Sequence, residues 1–283
     1  MRVALATCST FPGGTSDDRS VAALLDAAVH AWDDPAVDWE TYDRVVLCST
    51  WDYVDRVEAF TAWCEAVGPR RLRNDPALVA FAVDKRYLGE LSVPTIPTAF
   101  VAPGDPPPAL AGEVVVKPNV SAGARDTGRF GERVHHDALA LIERIRASDR
   151  VALVQPYLPA VDTRGETALV FFGGTLSHVL RKRAVLRPDE VAPMAEDGAA
   201  VAMQEEDLVV AGEASAAERT LAEQALADVA ARFGRLPLYA RVDLLTGTDG
   251  EPLLIELEVV EPALYLDTAP GAAARFAAAI RAS

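Results

Sequence analysis

Three carboxylates and one guanidinium near the end of the chain are spaced so that they could gather on one face of a β-hairpin. The segments Arg241-Val-Asp243 and Glu256-Leu-Glu258 flank a stretch with Asp249-Gly250 at its middle, and this dipeptide favours a two-residue hairpin turn. With that turn, Asp243 faces Glu256 and Arg241 faces Glu258. Because side chains alternate along a strand, all four groups then project from the same face.

A bound cation would explain this gathering of like charges. Side chains that face each other directly have Cβ atoms about 4.5–5.5 Å apart, and like charges there destabilise a sheet. Residues 253–260 are otherwise apolar, and burial of charges without partners is costly. Carboxylate oxygens suit Mg²⁺, which completes its shell with water and phosphate. A solvated strand end is the alternative, and against it the pattern predicts a Mg²⁺–nucleotide site.

A second stretch places a cation and glycines where a phosphate could bind. Lys117 ends an apolar strand, and a loop of residues 121–131 with three glycines follows. Glycine lets backbone N–H groups approach a phosphate closely, and Ser or Thr hydroxyls add donors. The pattern is neither a Walker A motif nor a dinucleotide fingerprint, because the lysine precedes the loop and no helix follows at once. Taken alone, the loop favours an ordinary surface turn.

Three consecutive cations, Arg181-Lys182-Arg183, end another apolar strand in an acidic protein. On an alternating strand, Lys182 faces one side of the sheet and its two neighbours face the other. Positive charges that guard an edge strand are one explanation, and an anion site is the other. Taken alone, Asp84-Lys85-Arg86 favours a charged helical face, and Gln155-Pro156-Tyr157-Leu158 is also consistent with a linker.

The bulk properties describe an ordinary globular chain without a nucleic-acid or membrane partner. Of 283 residues, 50% are hydrophobic and 24% are charged, as in typical globular domains. A net charge of −15 argues against nucleic acid and anionic membranes, which demand a basic surface. Three isolated cysteines without Cys-x-x-Cys spacing suggest a reducing compartment. With no long apolar stretch and no signal peptide, we expect a cytoplasmic protein.

The elements that must position these groups alternate between strand and helix in the first third of the chain. Strands are predicted over residues 2–7 and 44–49, with helices over residues 21–32 and 57–67, and this order indicates a small parallel α/β sheet. A helix follows Asn74-Asp75-Pro76, and six prolines within residues 94–108 indicate a linker or surface crossing.

The rest of the chain is predicted to form two strand-rich regions. The first region consists of a strand over residues 113–117, a helix over 137–147 and a strand over 150–155. The second region begins with a hairpin over residues 166–186 and a long helix that starts at the capping-box sequence of Ser215. The carboxylate hairpin and a final helix over residues 272–282 complete it. We predict three domains, at residues 1–87, 88–153 and 154–283.

Taken in order, these pieces resemble the ATP-grasp superfamily, and specifically its glutathione synthetase-like carboxylate–amine ligases. The matching series is Asp84-Lys85, Val-Val-Val-Lys117-Pro, the glycine loop, Val-Gln155-Pro-Tyr157-Leu, Arg241-Val-Asp243 and Ile-Glu256-Leu-Glu258. Upstream, Trp32-Asp-Asp-Pro35, Asp38-Trp39 and Ser49-Thr50-Trp51-Asp52-Tyr53 are similar to the subgroup that contains the O-ureido-serine cyclo-ligase of cycloserine biosynthesis. The implied fold is an α/β (α+β) ATP-grasp fold, in which an N-terminal parallel α/β pre-ATP-grasp domain precedes two α+β lobes that clasp the nucleotide.

The resemblance implies ATP and Mg²⁺, with two ions expected and Mn²⁺ as a substitute. It implies that the loop of residues 121–131 closes over the phosphates as a flap. The implied ATP contacts are Lys85 and Lys117 at the phosphates, Ser121 and Gly123 in the flap, Gln155, Tyr157 and Leu158 at the adenine, and Asp162 at the ribose. Asp243, Glu256 and Glu258 are the implied metal ligands. Many relatives have Asn at the place of Glu258, which puts the second ion in question.

The implied reaction is ADP-forming: the substrate carboxylate becomes an acyl phosphate, an amine attacks it, and phosphate leaves. Arg241 would stabilise the oxyanion and Lys182 would contact phosphate. Substrate contacts are assigned to Arg181 and Arg183 for a carboxylate, Glu261 for an amine, and Ser16. Substrates are then a small-molecule carboxylate and amine, and homodimers are common among such enzymes. A non-catalytic regulatory nucleotide-binding protein and a small-molecule kinase are the alternatives, and the pattern leaves open whether coupling joins two molecules or closes a ring.

Overall fold

The computed structural model describes residues 1–194 and 207–283, and its first region is a parallel α/β layer. Its elements are β1 (Val3–Thr7), α1 (Ser16–Leu25), β2 (Ala28–Ala31), β3 (Arg44–Leu47), α2 (Val57–Val67) and β4 (Leu72–Arg73). The strands pair in parallel in the order β2-β1-β3-β4. We refer to these four strands as the N-terminal sheet, and its parallel α/β architecture confirms the prediction.

The helix predicted over residues 21–32 is wrong in its bounds. A capping box between Thr15 and Asp18 starts α1 five residues earlier, and Asp26 ends it in the left-handed conformation at φ 52°, which Asp tolerates better than most residues. The next residues then form β2, which pairs with β1. The sequence Ala-Val-His-Ala has no period that distinguishes a short strand from a helix, so pairing with β1 decides its conformation.

The second sheet is antiparallel. Its region contains α3 (Pro76–Ala82), a 3₁₀ turn (Lys85–Gly89), β5 (Ala99–Val101), β6 (Val114–Pro118), β7 (Gly128–Phe130), α4 (His135–Arg146) and β8 (Ala152–Pro156). A short later strand, β11 (Glu190–Val191), joins it, and the strand order is β11-β7-β6-β8-β5. We call this the lid sheet. One face packs on α4 through Leu141, Ile142 and Ile145, so the sheet has an apolar core of its own.

The third sheet carries the carboxylate hairpin. Its region contains α5 (Ala160–Arg164), β9 (Glu166–Phe172), β10 (Thr175–Lys182), β12 (Val209–Ala211), α6 (Ala216–Phe233), β13 (Tyr239–Thr246), β14 (Pro252–Glu258) and α7 (Ala272–Ala282). The strand order is β12-β10-β9-β13-β14, and we call this the hairpin sheet. The domain bounds stay a prediction, and the one at 153/154 falls within β8.

The predicted hairpin register is confirmed at the chemical residues, although the turn differs from the prediction. Asp243 pairs with Glu256 and Arg241 pairs with Glu258. The chain closes through Gly247, whose N–H donates to the carbonyl of Glu251 at 2.8 Å, so the loop is longer than two residues. A bulge after Asp243 adds one residue to β14, and this addition restores the register that the shorter turn would have given.

Asn74 ties the N-terminal sheet to the hairpin sheet. Its amide nitrogen donates to the carbonyls of Tyr239 and Val259 at 2.9 and 2.7 Å, and its amide oxygen accepts from the N–H of Leu238 at 2.6 Å. These contacts fix the N-terminal region against the hairpin.

Within the described part of the chain, no helix combines the length and the apolar character that crossing a bilayer requires.

Candidate active site

A cavity of about 890 Å³ lies where the three sheets meet. Its walls come from the loops after β1 and β3, the flap between β6 and β7, the β8–α5 connection, and one face of the hairpin sheet. The ionisable groups on these walls include Lys85, Lys117, Glu166, Lys182, Arg183, Arg241, Glu256, Glu258 and Glu261. The structure therefore brings together most of the residues that the sequence predicts to act chemically.

Asp243 is the most deeply buried of the predicted metal ligands, at 1% exposure. Its carboxylate accepts from Lys182 Nζ at 3.0 Å and from Arg241 Nη2 at 2.8 Å and Nε at 2.9 Å. Burial alone would raise its pKa, but the two cations hold the pKa of Asp243 well below its usual range. Asp243 is therefore held as a carboxylate by Lys182 and Arg241. Unlike Glu256 and Glu258, it is not among the residues that line the cavity.

Glu256 faces the two lysines that the sequence assigns to phosphate. Lys85 Nζ lies 3.1 Å from Glu256 Oε1 and also donates to the carbonyl of Ser121 in the flap at 2.6 Å. Burial would raise the pKa of Glu256, but Lys85 and Lys117 lower it. Burial lowers the pKa of Lys117, as it does for any desolvated cation. This end of the hairpin is therefore rich in positive charge, as phosphate binding requires.

Glu258 differs from the other two carboxylates because its pKa is raised, to about 8. Burial is the main cause; Arg241, which donates to Glu258, opposes it, while Glu256 and Asp243 add to it. The Glu258 carboxyl therefore takes up a proton more readily than Asp243 or Glu256.

Glu166 is a further carboxylate of the cavity that the sequence analysis did not identify. It is the first residue of β9, it pairs with Lys182 across β9 and β10, and it accepts a hydrogen bond from that lysine. Burial raises its pKa to about 7 although Lys182 opposes this shift. A two-residue turn at Gly173-Gly174 would have paired Glu166 with Arg181. A bulge between Leu176 and His178 shifts the register by one residue, so the sequence pattern could not have predicted that Glu166 faces Lys182.

The donor set fits Mg²⁺ by its chemistry, since Asp243, Glu256 and Glu258 supply oxygen ligands from one face. The three carboxylates lie farther apart than the ligands of a metal ion would. Among residues 1–194 and 207–283, no three Asp, Glu, His or Cys side chains converge closely enough to hold an ion, because Lys85, Lys182 and Arg241 lie against the carboxylates. The metal assignment stays a prediction.

The predicted adenine and flap residues line the cavity, but Asp162 does not. Ser121, Gly123, Gln155, Tyr157 and Leu158 are on its walls, and Gln155 is held by a 2.9 Å hydrogen bond to the Thr98 hydroxyl. The Asp162 carboxylate instead accepts from the Tyr157 hydroxyl at 2.5 Å and from Arg129 at 3.1 Å. Its predicted ribose contact therefore has no support from its position.

The predicted substrate residues separate into two groups. Arg183 and Glu261 line the cavity, whereas Arg181 and Ser16 do not. Arg181 donates to the Thr167 hydroxyl and to the carbonyl of Glu213. Ser16 borders a smaller neighbouring cavity of about 210 Å³.

Glu261 occupies the end of the cavity that the N-terminal region closes. The Trp51 indole donates to its carbonyl at 2.9 Å, and the Tyr53 hydroxyl hydrogen-bonds to its carboxylate. Burial raises its pKa to about 7, while Lys85 opposes the shift. Trp51 also packs edge-on against Phe11 at 5.4 Å between ring centroids. Glu261 is thus a half-buried carboxylate beside aromatic side chains, suited to a substrate N–H group.

Comparisons with known proteins agree with this architecture. Residues 3–74 match the family described as the N-terminal domain of D-cycloserine synthetase DcsG. Cycloserine biosynthesis protein DcsG of Streptomyces lavendulae is 37% identical over 272 residues, covering 90% of this chain and 88% of that protein. A crystal structure of D-cycloserine synthetase DcsG matches with a TM-score of 0.88 at 34% identity, over 99% of this chain and 98% of that one.

The fold is also that of more distant ligases. D-Alanine–D-alanine ligase of Bacillus anthracis, in its complex with ATP, matches with a TM-score of 0.64 at 14% identity, over 100% of this chain and 96% of that one. At this identity the likeness concerns the fold alone. It is the nucleotide-binding ligase fold that the sequence predicted.

Proposed function

The chain belongs to the DcsG family of ATP-grasp ligases, and on that premise we propose that it forms a carbon–nitrogen bond within one small substrate molecule. The wider activity is that of its class: it is an ATP-dependent ligase that couples a carboxylate to an amine in natural-product biosynthesis. The proposal adds the substrate and the ring closure, and it favours O-ureido-serine, the substrate of the subgroup that the N-terminal motifs resemble.

The proposed reaction begins with transfer of the γ-phosphoryl group of ATP to the substrate carboxylate. Phosphoryl transfer depends on positioning and on neutralisation of charge, with no side-chain nucleophile required. Lys85, Lys117 and Lys182 are the cations that would bind the phosphates. Mg²⁺ held by Asp243, Glu256 and Glu258 would neutralise phosphoryl oxygens; two ions are proposed, with Mn²⁺ as a substitute.

The second step closes the ring. The nitrogen attached to oxygen in O-ureido-serine attacks the acyl phosphate of the same molecule, and the new C–N bond completes a five-membered ring. Phosphate leaves with the C–O bond electrons, and the nitrogen releases its proton to solvent and keeps its carbamoyl group in this step. Arg241 would stabilise the oxyanion of the tetrahedral intermediate, as fixed donors do in acyl transfer. Glu261 would orient the attacking N–H or the substrate ammonium.

The observation that carries the substrate assignment is the position of the segment that matches the family. Trp51 and Tyr53 lie within residues 3–74, and both contact Glu261 beside the predicted acyl-forming centre. The part of the chain that most specifically resembles the cycloserine proteins is thus the part that forms the substrate end of the cavity. A shared nucleotide-binding fold alone would not require the family-specific segment to lie at this end of the cavity.

Incubation of the purified protein with ATP, Mg²⁺ and O-ureido-serine tests the proposal. We expect equimolar ADP, phosphate and cyclic product by mass spectrometry, with serine as the control substrate that releases no ADP. ADP release that requires a separately added amine would replace ring closure with intermolecular coupling. A stable phosphorylated product, visible by phosphorus NMR, would instead indicate a kinase.

A further inference from the structure

Arg129 lies at the centre of β7 (Gly128–Phe130), the strand that occupies the last part of the segment predicted as the flap. Its backbone pairs with Val115 of β6 on one side and with Glu190 of β11 on the other, so β7 is an interior strand of the lid sheet. The residue is buried, at 8% exposure. Neither the motifs nor the predicted roles account for an arginine at this position.

The guanidinium of Arg129 gathers a polar cluster beside the β8–α5 connection. It lies 3.5 Å from the centroid of the Tyr157 ring, and Nη1 donates to the Tyr157 hydroxyl at 2.7 Å. Nε donates to Glu113 at 2.7 Å, and Nη1 also reaches Asp162 at 3.1 Å. Arginine suits such a site because its planar fork can stack on a ring and bind carboxylates at the same time.

Tyr157 is fixed by this cluster through its backbone, its ring and its hydroxyl. Its N–H donates to the carbonyl of Glu113 at 2.8 Å, and its hydroxyl donates to Asp162 at 2.5 Å. Tyr157 also lines the cavity between Gln155 and Leu158, whereas Arg129 does not. Arg129 therefore lies behind a wall of the cavity and acts on it through Tyr157.

The cost of this arrangement argues against a role in stability alone. The Arg129 guanidinium loses hydration energy on burial, although its partners Glu113 and Asp162 keep side-chain exposures of 30% and 42%. Well-packed apolar residues often stabilise a core at least as well as a buried charge. The lid sheet has an apolar core of its own on α4. The cluster adds directed hydrogen bonds between β7, at the end of the flap, and the β8–α5 connection.

We propose that Arg129 is a positioning residue that holds Tyr157 and the base of the flap as one rigid unit at the nucleotide end of the cavity. A wall that is ordered before binding lowers the entropy cost of binding. The inference rests on the nucleotide-binding part of the proposed function and is independent of the identity of the carboxylate substrate.

The test compares two arginine-to-lysine variants of the full chain. Arg129→Lys keeps the charge but loses the planar fork. Arg146→Lys is the matched control, because Arg146 is buried to the same degree, with side-chain exposure of 11% against 10%. It lies in α4 of the same region and bonds to Glu143 and to the carbonyls of Ala102 and Asp105. Binding of a non-hydrolysable ATP analogue with Mg²⁺ is measured by calorimetry, without turnover.

We expect Arg129→Lys to weaken analogue binding by about tenfold, which corresponds to about 1.4 kcal/mol, because lysine cannot stack flat on Tyr157 and bond to Glu113 and Asp162 at the same time. We expect Arg146→Lys to leave binding unchanged. In turnover, Arg129→Lys should raise KM for ATP while KM for the acid substrate stays constant. Equal binding by Arg129→Lys and the native protein would overturn the proposal, whether or not O-ureido-serine is a substrate.

A second variant, Asp162→Asn, tests the cluster with Arg129 in place. We expect weaker analogue binding with an unchanged preference for ATP over 2′,3′-dideoxy-ATP, because Asp162 acts through Arg129 and Tyr157. Loss of that preference would mean that Asp162 contacts the ribose directly, and this result would overturn the role assigned to the cluster.

Discussion

Lys182 and Asp243 are in contact although their strands are not neighbours. The ammonium of Lys182 on β10 lies 3.0 Å from the carboxylate of Asp243 on β13, and β9 runs between the two strands. Lys182 also bonds to Glu166 at the start of β9. The cation predicted to contact phosphate is therefore positioned directly against the carboxylate predicted to hold Mg²⁺.

Lys182→Met should abolish most of the activity and leave the protein folded. Loss of one preorganised electrostatic contact to a developing charge costs about 10²–10³ in kcat. Steady-state ADP release measures the effect, and circular dichroism checks the fold. Arg181→Met is the adjacent comparison, because Arg181 bonds to Thr167 and Glu213 away from the cavity. A similar loss in both variants would contradict the specific role of Lys182.

Glu261→Gln should raise KM for the amino-acid substrate and leave nucleotide binding unchanged. The pKa of Glu261 is raised to about 7 by burial, against the effect of Lys85, with Tyr53, Glu256 and Arg241 as its other ionisable neighbours. Protonation below that pH removes the negative charge that an ammonium requires. KM for the native protein should therefore rise as pH falls below 7, and the variant should lack this dependence. Parallel pH profiles for both proteins would show that Glu261 does not bind the substrate.

Asp17→Asn should stabilise the protein at pH 8 more than at pH 5. Burial raises the pKa of Asp17 from 3.8 to about 6, so the folded state holds a proton that the unfolded state releases. The contribution of this protonation to the free energy of unfolding is largest below pH 3.8 and is lost as the pH rises through 6. Urea unfolding at the two pH values should show that the variant gains about 1–2 kcal/mol at pH 8 relative to pH 5. An equal change at both values would contradict the assignment.

Gly165→Ala should destabilise the protein and displace Lys182. Gly165 has φ +69°, and a Cβ there would lie 2.5 Å from the carbonyl oxygen of Lys182. The control is Gly173→Ala, since Gly173 has φ +55° but a Cβ added there would have no neighbouring atom within 4 Å. Gly173→Ala should lose about 1–2 kcal/mol through its positive φ. Gly165 has ψ −171°, a combination that essentially only glycine adopts, so Gly165→Ala has a larger backbone cost as well as the clash. Chemical unfolding should therefore show a larger loss for Gly165→Ala, accompanied by lower activity.

The hairpin could be predicted because its information is local. Alternation along the strands and a Gly-containing turn sufficed to pair Asp243 with Glu256, although the bulge that maintains this register was not visible in the pattern. The capping box at Ser215 is likewise a local signal, whereas the one at Thr15 was missed and α1 was predicted to begin five residues too late. The order of such segments predicted the fold class, and most of the predicted site residues line the cavity.

The residues that prediction missed depend on contacts between distant segments. Arg129 meets Tyr157 and Glu113 only after β6, β7 and β8 have paired, and no local period marks it. The strand β2 was missed for the same reason, because its partner β1 decides its conformation. Asp162 was assigned to the ribose by resemblance, whereas its position depends on Arg129.

Transfer of an oxygen isotope tests the central claim most directly. O-ureido-serine labelled with ¹⁸O in both carboxylate oxygens is incubated with the protein, ATP and Mg²⁺ until ADP has formed. If the carboxylate is activated as an acyl phosphate and the ring then closes, one ¹⁸O must leave with the inorganic phosphate, where phosphorus NMR detects it as an isotope shift. Unlabelled phosphate formed together with the cyclic product, or no ADP at all, would contradict the account.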